Sequence, residues 1–149
     1  MKIYLAGPLF SLSEKRFNKE LANELEKKIK NCFIVLPQEF SNHHSGGTEE
    51  EKLNKIFKLC MTQIEESDII IAILEGPDVD SGTCIELGYA YSKKKPIVGI
   101  RTDFRSSEDN GVNLMVSKVC SKIIRDMKTE SIEKLANEVK ESINKVINK

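Results

Sequence analysis

The stretch that decides the fold is Ile69–Leu74, with the sequence IIIAIL, followed by Gly76–Ala90, with the sequence GPDVDSGTCIELGYA. The first segment is a continuous apolar run, which is typical of a strand buried on both faces of a parallel sheet. The second passes through a turn into alternating apolar and small residues, which predicts a helix packed on that sheet. Asp80 and Glu86 therefore flank a strand-to-helix turn, where open α/β sheets bind small molecules.

Apolar strands alternate with amphipathic helices along the rest of the chain. The predicted strands are 3–6, 33–36, 68–74, 96–101 and 121–124, and the predicted helices are 13–29, 50–66, 82–94 and 129–147. This alternation predicts a parallel sheet with right-handed crossovers. We expect a single α/β domain over residues 1–149 with a doubly wound five-stranded sheet, strand order 2-1-3-4-5, and a crevice between strands one and three.

The composition limits the classes of partner. The 149 residues carry 23 basic and 23 acidic side chains, so no overall field favours a nucleic acid polymer or a membrane surface. No apolar stretch approaches the roughly 18 residues of a membrane span. The four cysteines are widely spaced without a C-x-x-C pair, which indicates free thiols and a cytoplasmic protein. The adjacent His43 and His44 diverge, so we expect no metal site and no cofactor.

The turn after the first strand offers two further candidates. Gly7 would let the backbone approach a ligand closely, and Phe10 could stack on a planar ligand. The plainer interpretation is that Gly7 and Pro8 only form a turn and that Phe10 belongs to the core. The residues alone leave both interpretations open.

Four interpretations compete for the turn before the third predicted helix. Thr83 and Glu86 have the spacing of a helix capping box, which would give Glu86 a structural role. Asp78, Asp80 and Glu86 could bind calcium, although their spacing departs from an EF-hand loop. Backbone N–H groups of residues 81–83 could bind a phosphate at the helix start, but the two aspartates beside them would repel it.

The fourth interpretation makes Glu86 a nucleophile. A carboxylate can attack an anomeric carbon and form a glycosyl-enzyme, which divides a difficult substitution into two easier steps. The helix N-terminus would help to keep the carboxylate ionised. Tyr4, on the first strand, could donate a hydrogen bond that orients it. The capping role and the nucleophilic role compete for the same oxygens.

At this point the chain resembles a known family, the nucleoside 2-deoxyribosyltransferases. The resemblance is carried by the segments 3–10 (IYLAGPLF), 36–38 (LPQ), 80–90 (DSGTCIELGYA) and 112–115 (VNLM). It extends from Ile3 to about Val116. It implies a flavodoxin-like fold and the transfer of 2-deoxyribose between nucleobases.

The resemblance also implies roles for individual residues. Glu86 matches the family nucleophile, Tyr4 the tyrosine that holds it, and Asp80 the acid that contacts the sugar 5′-hydroxyl. Asn113 matches a residue that reaches the same hydroxyl in a neighbouring subunit, which implies a homo-oligomer with shared sites. We expect further substrate contacts from Gly7, Phe10, Gln38, Ser81, Gly82 and Met115.

The chain departs from the family pattern at Cys60, where relatives often carry Asp or Asn near the base. A thiol is a poorer proton donor to a leaving base than a carboxylic acid. Related hydrolases that cut deoxynucleoside 5′-monophosphates typically carry serine in place of Asp80. A carboxylate there suits a neutral 5′-hydroxyl and would repel a phosphate, although Arg101 or Arg105 could offset that repulsion.

These residues together predict an enzyme of purine salvage that acts on a deoxynucleoside and a free nucleobase. It would transfer 2-deoxyribose through a covalent ester on Glu86, with slow hydrolysis as a side reaction. The alternative is a hydrolase, a 2′-deoxynucleoside 5′-monophosphate N-glycosidase. A third hypothesis, from a different class, is a domain that senses nucleosides or nucleotides without turning them over.

Overall fold

Five parallel strands form one sheet in the order β2-β1-β3-β4-β5, so the predicted order is confirmed. The computed structural model describes residues 1–43, 47–105 and 111–148. The strands are β1 (Lys2–Ala6), β2 (Phe33–Val35), β3 (Ile69–Ile73), β4 (Ile97–Arg101) and β5 (Lys122–Arg125). In the register of the sheet, Tyr4 of β1 is paired with Val35 on one side and with Ile70 on the other.

Helices cover both faces of the sheet. They are α1 (Leu12–Lys28), α2 (Glu49–Glu66), α3 (Ser81–Ser92), α4 (Leu114–Val119) and α5 (Ile132–Ile147), with a 3₁₀ helix over Pro37–His43. The helices α1 and α5 pack on one face, and α2, α3 and α4 pack on the other. The fold is therefore the doubly wound α/β architecture that the alternating pattern predicts.

Alternate side chains of β1 supply both layers of the core. Ile3 and Leu5 pack with α1 and α5, whereas Tyr4 and Ala6 point into the opposite layer beneath α2 and α3. Because both faces are covered, β1 and β3 consist of residues that are almost all buried, as their continuous apolar sequences indicate. Tyr4 differs from the other buried residues of these strands because it places a polar hydroxyl group in an apolar layer.

The helix boundaries differ from the predicted ones at several ends. Helix α1 begins at Leu12, because the Ser11 side chain accepts from the Glu14 amide and the Glu14 side chain accepts from the Ser11 amide. This reciprocal pair is a capping box, and α1 therefore begins one residue before the predicted start at residue 13. Between the predicted second strand and second helix the structure has the 3₁₀ helix over Pro37–His43, and residues 44–46 lie outside the described part. The short helix α4 was not predicted.

The described residues contain neither a membrane-spanning helix nor a cluster of metal-ligating side chains. Among the helices described, none is both long enough and apolar enough to cross a membrane. Within the same residues, His, Cys, Asp and Glu form no group of three or more that could hold a metal ion. The side chains of His43 and His44 are not among those described.

Candidate active site

The start of α3 is capped by Asp80. Its Oδ2 accepts hydrogen bonds from the Thr83 amide at 2.8 Å and from Thr83 Oγ1 at 3.0 Å. The first amides of a helix lack intrahelical partners, and a carboxylate before the helix supplies one. The hypothesis that Thr83 and Glu86 form a capping box is therefore wrong. Glu86 is one turn further along α3 and is free for another role.

Glu86 is held by Tyr4. The Tyr4 hydroxyl donates to Glu86 Oε1, which brings together a side chain from β1 and one from α3. Tyr4 is fully buried and Glu86 is half-buried. Burial raises the pKa of Glu86 to about 7; the Tyr4 hydrogen bond opposes this rise, and the charge of Asp80 adds to it. Both protonation states of Glu86 are therefore populated at neutral pH.

Two neutral groups surround this carboxylate. Burial, and then the charge of Glu86, raise the pKa of Tyr4 far above its usual value, so the phenol keeps its proton and remains a donor. The Cys60 thiol of α2 lies against the same hydroxyl, and burial raises the pKa of Cys60 as well. The position where the sequence departs from the family pattern therefore lies beside the expected nucleophile.

The turn after β1 lies at the carboxyl edge of the sheet. Phe10 is 73% exposed, so the interpretation of Phe10 as a core residue is wrong. A Cβ added to Gly7 would lie 2.8 Å from Ile73 Cβ, which is closer than packed atoms allow. Close packing against Ile73 therefore requires a glycine at position 7, whether or not Gly7 contacts a ligand.

The Gln38 side chain is bound to α1. Gln38 Nε2 donates to the Lys15 carbonyl at 3.1 Å, and Asn18 Nδ2 donates both to Gln38 Oε1 at 3.3 Å and to the Pro8 carbonyl at 2.9 Å. Asn18 is 3% exposed and ties the turn after β1 to the 3₁₀ helix. Sequence reasoning missed it. The available signal was a polar residue three and four positions before the buried Leu21 and Ala22.

Asn113 and Met115 lie on the other side of α3 from Glu86. They line a groove of about 410 Å³ between α3 and α4, together with residues that include Cys84, Leu87 and Gly88. The Asn113 Oδ1 caps α4 by accepting from the Met115 amide at 2.9 Å, and both side chains are exposed. A Cβ added at Gly88 would meet no atom within 4 Å among the described residues beyond its own stretch of helix. Neither Asn113 nor Met115 is brought to the Glu86 of its own chain.

Ser81 and Gly82 form the exposed first turn of α3.

The two arginines that could offset the repulsion between Asp80 and a substrate phosphate both bind other groups of the chain. Arg101 is fully buried and donates to the carbonyls of Leu74 at 2.6 Å, Gly76 at 3.0 Å and Arg105 at 2.7 Å. Arg105 donates through Nε to Asp103 Oδ1 at 3.0 Å. Arg101 therefore ties the loop after β3 to the loop after β4.

A larger groove, of about 1140 Å³, lies at the opposite edge of the sheet. It is lined by residues that precede the strands, among them Met1, Asp68, Pro96 and Ser121. In open parallel sheets, ligands bind at the carboxyl ends of the strands, so size alone does not make this groove the site. Tyr4, Glu86 and Asp80 meet away from it.

The chain is similar to known proteins in sequence and in fold. The chain matches the family described as "Nucleoside 2-deoxyribosyltransferase" over residues 3–140. It is similar to a solved 2-deoxyribosyltransferase from Bacillus psychrosaccharolyticus, with 24% identity, a TM-score of 0.69, and coverage of 92% of this chain and 91% of that one.

Two further proteins are similar to it. The CMP N-glycosidase BcmB of Clostridium botulinum shares the fold, with 19% identity, a TM-score of 0.59, and coverage of 94% of this chain and 99% of that one. The uncharacterized protein UU063 of Ureaplasma parvum is 32% identical over 102 residues, which are 65% of this chain and 63% of that protein's length. The family match spans nearly the whole chain and contains every residue of the candidate site, and the chain therefore belongs to the nucleoside 2-deoxyribosyltransferase family.

Proposed function

We propose that this protein transfers 2-deoxyribose from a 2′-deoxynucleoside to an acceptor nucleobase, with Glu86 as the nucleophile. The observation that carries the proposal is the half-buried Glu86 carboxylate, which accepts a hydrogen bond from the fully buried Tyr4 hydroxyl. The carboxylate lies on the helix that follows β3, next to the carboxyl edge of the sheet. Membership of the family supports the same class of chemistry.

The reaction proceeds in two displacements. A Glu86 carboxylate oxygen attacks C1′ while the C1′–N bond breaks and its electron pair stays on the departing base, which takes up a proton. A nitrogen of the acceptor base then attacks C1′, the ester C–O bond breaks, and the acceptor loses its proton. Water in place of the acceptor gives hydrolysis. Two displacements at the same carbon retain its configuration.

Tyr4 and Asp80 have distinct supporting roles. Tyr4 binds one oxygen of Glu86, which leaves Oε2 to attack, and its hydrogen bond stabilises the carboxylate when the ester breaks. Asp80 uses Oδ2 for the helix cap, and its Oδ1 has no hydrogen bond to the described residues. We assign Oδ1 to the sugar 5′-hydroxyl, which can donate to it. The exposed Ser81 and Gly82 of the same turn, and Gly7 and Gln38 across the crevice, remain proposed substrate contacts.

The identity of Cys60 bears on the choice of base. Because a thiol is a weak acid, the departing base takes its proton from solvent. Purines accept such a proton at N7, on the part of the ring that is away from the sugar. We therefore propose purine deoxynucleosides as the preferred donors, and a role in purine salvage.

The placement of Asn113 supports a homo-oligomer. Within one chain, α3 separates Asn113 and Met115 from Glu86. A neighbouring copy could bring both side chains to a Glu86 site, where Asn113 would contact the sugar and Met115 the base. The site would then be complete only in the assembled protein.

The test is a chromatographic assay of base exchange between deoxyinosine and adenine. Wild-type protein should form deoxyadenosine. Glu86→Gln keeps a similar shape and should fold, as judged by circular dichroism, but should lose at least about a thousandfold in rate. Mass spectrometry of protein incubated with a 2-fluorinated sugar analogue should place the adduct on Glu86. Full transferase activity in folded Glu86→Gln protein would refute the nucleophilic role.

The alternative is a 2′-deoxynucleoside 5′-monophosphate N-glycosidase. The fold shared with a CMP N-glycosidase and the amides at the start of α3 favour it. Asp80 opposes it, and neither Arg101 nor Arg105 is available to offset that charge. Incubation with dGMP and with deoxyguanosine, each with and without adenine, separates the two. Base release from dGMP alone, without exchange, would establish the hydrolase; ligand binding without any product would establish a sensor.

A further inference from the structure

One stripe of α2 changes its environment along its length. Leu53, Phe57, Cys60 and Ile64 are spaced by four, three and four residues and therefore lie on the same side of the helix. Ile64 is fully buried, and Cys60 is half-buried against Tyr4. Phe57 is 58% exposed and Leu53 is 65% exposed. The side of α2 that packs on the sheet at Ile64 is therefore uncovered about two and three turns earlier.

The topology explains this change. In a β-α-β unit the helix runs opposite to the strands, so the first half of α2 lies at the carboxyl edge of the sheet. With a rise of about 1.5 Å per residue, Phe57 is about 4.5 Å and Leu53 about 10 Å beyond Cys60 along the helix axis. These two side chains therefore extend the wall of the crevice past the level of Cys60 and Tyr4.

An exposed apolar pair on the sheet-facing stripe of a helix is unusual. A solvated helix presents polar residues to water and its apolar stripe to the core. Here the outward-facing positions of α2 are polar as expected, and the stripe from Leu53 to Ile64 has no charged member. The uncovered part of the stripe is thus a small apolar surface that is continuous with the candidate site.

We propose that Leu53 and Phe57 form the surface against which one face of the nucleobase packs. The proposed function supplies the identity of the occupant, and the surface itself follows from the stripe. A base is planar and its face is apolar, so it suits an aromatic ring and a leucine side chain. The sugar, bonded at C1′, would then lie between this surface and Glu86.

This surface would discriminate between bases by the area of the base face that it covers, and not by the hydrogen-bonding groups on the base edge. Neither Leu53 nor Phe57 can donate to or accept from the edge of a base. We therefore expect purines with different edge groups to bind with similar affinity, and one-ring bases to bind more weakly because they cover less of the surface. The inference thus extends the proposed preference for purines to tolerance among them.

The experiment measures binding by calorimetry in the Glu86→Gln background, with deoxyguanosine and free adenine as probes. Phe57→Ala should weaken binding of both probes about tenfold, and Phe57→Trp should retain it. Phe33→Ala is the matched control, because Phe33 is 61% exposed at the start of β2, at the opposite edge of the sheet. All variants should keep the thermal midpoint of the parent protein, because neither phenylalanine is in the core.

The outcomes are distinct. Equal affinities in Phe57→Ala and Phe33→Ala overturn the inference, as does a failure of both probes to bind the parent. A lower sedimentation coefficient in Phe57→Ala alone also overturns it, because the surface would then be covered by a second copy. Loss of binding in Phe57→Ala, together with wild-type protein that never exchanges bases, supports this surface while the proposed function fails.

Discussion

The Glu86 carboxylate combines two opposing requirements in one residue. Burial strengthens its interactions with a substrate but disfavours its charge, and the Tyr4 hydroxyl restores part of what burial removes. The outcome is a pKa of about 7. A nucleophile in that range is ionised often enough to react and is not so strongly stabilised that it becomes unreactive.

Replacing Tyr4 by phenylalanine should move the pH dependence of the reaction. The rate depends on ionised Glu86 and therefore rises with pH through about 7. Loss of the hydrogen bond that lowers this pKa should shift the rising limb of kcat/KM to higher pH, with about a tenfold loss at pH 7. Tyr91→Phe, at an exposed position of the same α3, is the control. A limb that stays in place would show that Tyr4 does not tune Glu86.

The same carboxylate should reduce stability at neutral pH. The pKa of Glu86 is about 7 when folded and 4.5 as the reference for the unfolded chain, so the native state binds more protons between those values. Stability due to this group therefore falls as the pH rises from about 4.5 to about 7.

Glu86→Gln removes that dependence. Relative to the wild type, the variant should gain about 1–3 kcal/mol in free energy of unfolding between pH 5 and pH 8. Urea unfolding at both pH values measures it, with Glu138→Gln on the exposed side of α5 as the control. A constant difference between variant and wild type would contradict the raised pKa.

At the scale of elements, Asp80 caps the start of α3 and is also the residue that we propose to bind the sugar 5′-hydroxyl. Asparagine can also cap a helix through its side-chain oxygen, whereas alanine cannot. Asp80→Ala should therefore lower the free energy of unfolding by about 1 kcal/mol, and Asp80→Asn by much less. Both should lose activity toward deoxynucleosides, and chemical denaturation beside kinetic assays separates the two effects.

The two substitutions also test the choice between nucleoside and nucleotide. Asp80→Asn removes a negative charge without removing the cap, so any base release from dGMP should increase relative to that from deoxyguanosine. An unchanged ratio would mean that the carboxylate does not face the 5′ position of the substrate.

Long helices could be predicted from the sequence because burial of one face imposes a period of about 3.6 residues, and strands because burial of both faces requires continuous apolar runs. The alternation of these strands with helices predicted the parallel sheet and its order. Helix α4 was not predicted because its six residues are too few to show the helical period of apolar positions. The capping box of Ser11 and Glu14 was not predicted either, and the predicted helix accordingly began one residue late.

The site was predictable only in part, for a physical reason. Tyr4 and Glu86 are on adjacent elements at the crevice, so topology and the family resemblance both brought them together. Asn18 was missed, and Arg101 was given a possible ligand role in place of its structural one, because both side chains act through backbone carbonyls of other segments. Such contacts leave no mark in the pattern of apolar residues. The exposure of Phe57 was also missed, because its spacing alone indicates a core position.

At the scale of the whole molecule, shared sites predict complementation. Glu86→Gln and Asn113→Ala should each be nearly inactive. If Asn113 serves a neighbouring copy, an equal mixture that exchanges subunits should recover about a quarter of the wild-type activity, because half of the dimers then hold one intact site. A mixture as inactive as its components, with subunit exchange verified by mass spectrometry, would show that each chain supplies its own Asn113.

The empty space above Gly88 has a consequence for the engineering of this chain. A glycine inside a helix costs roughly 1 kcal/mol relative to alanine, and at Gly88 no other described part of the chain lies within 4 Å of where a methyl group would be. A methyl group at this position should therefore make the isolated subunit melt at a higher temperature. If Gly88→Ala also weakened self-association, the absence of a side chain at this position would be explained by a close contact with another subunit.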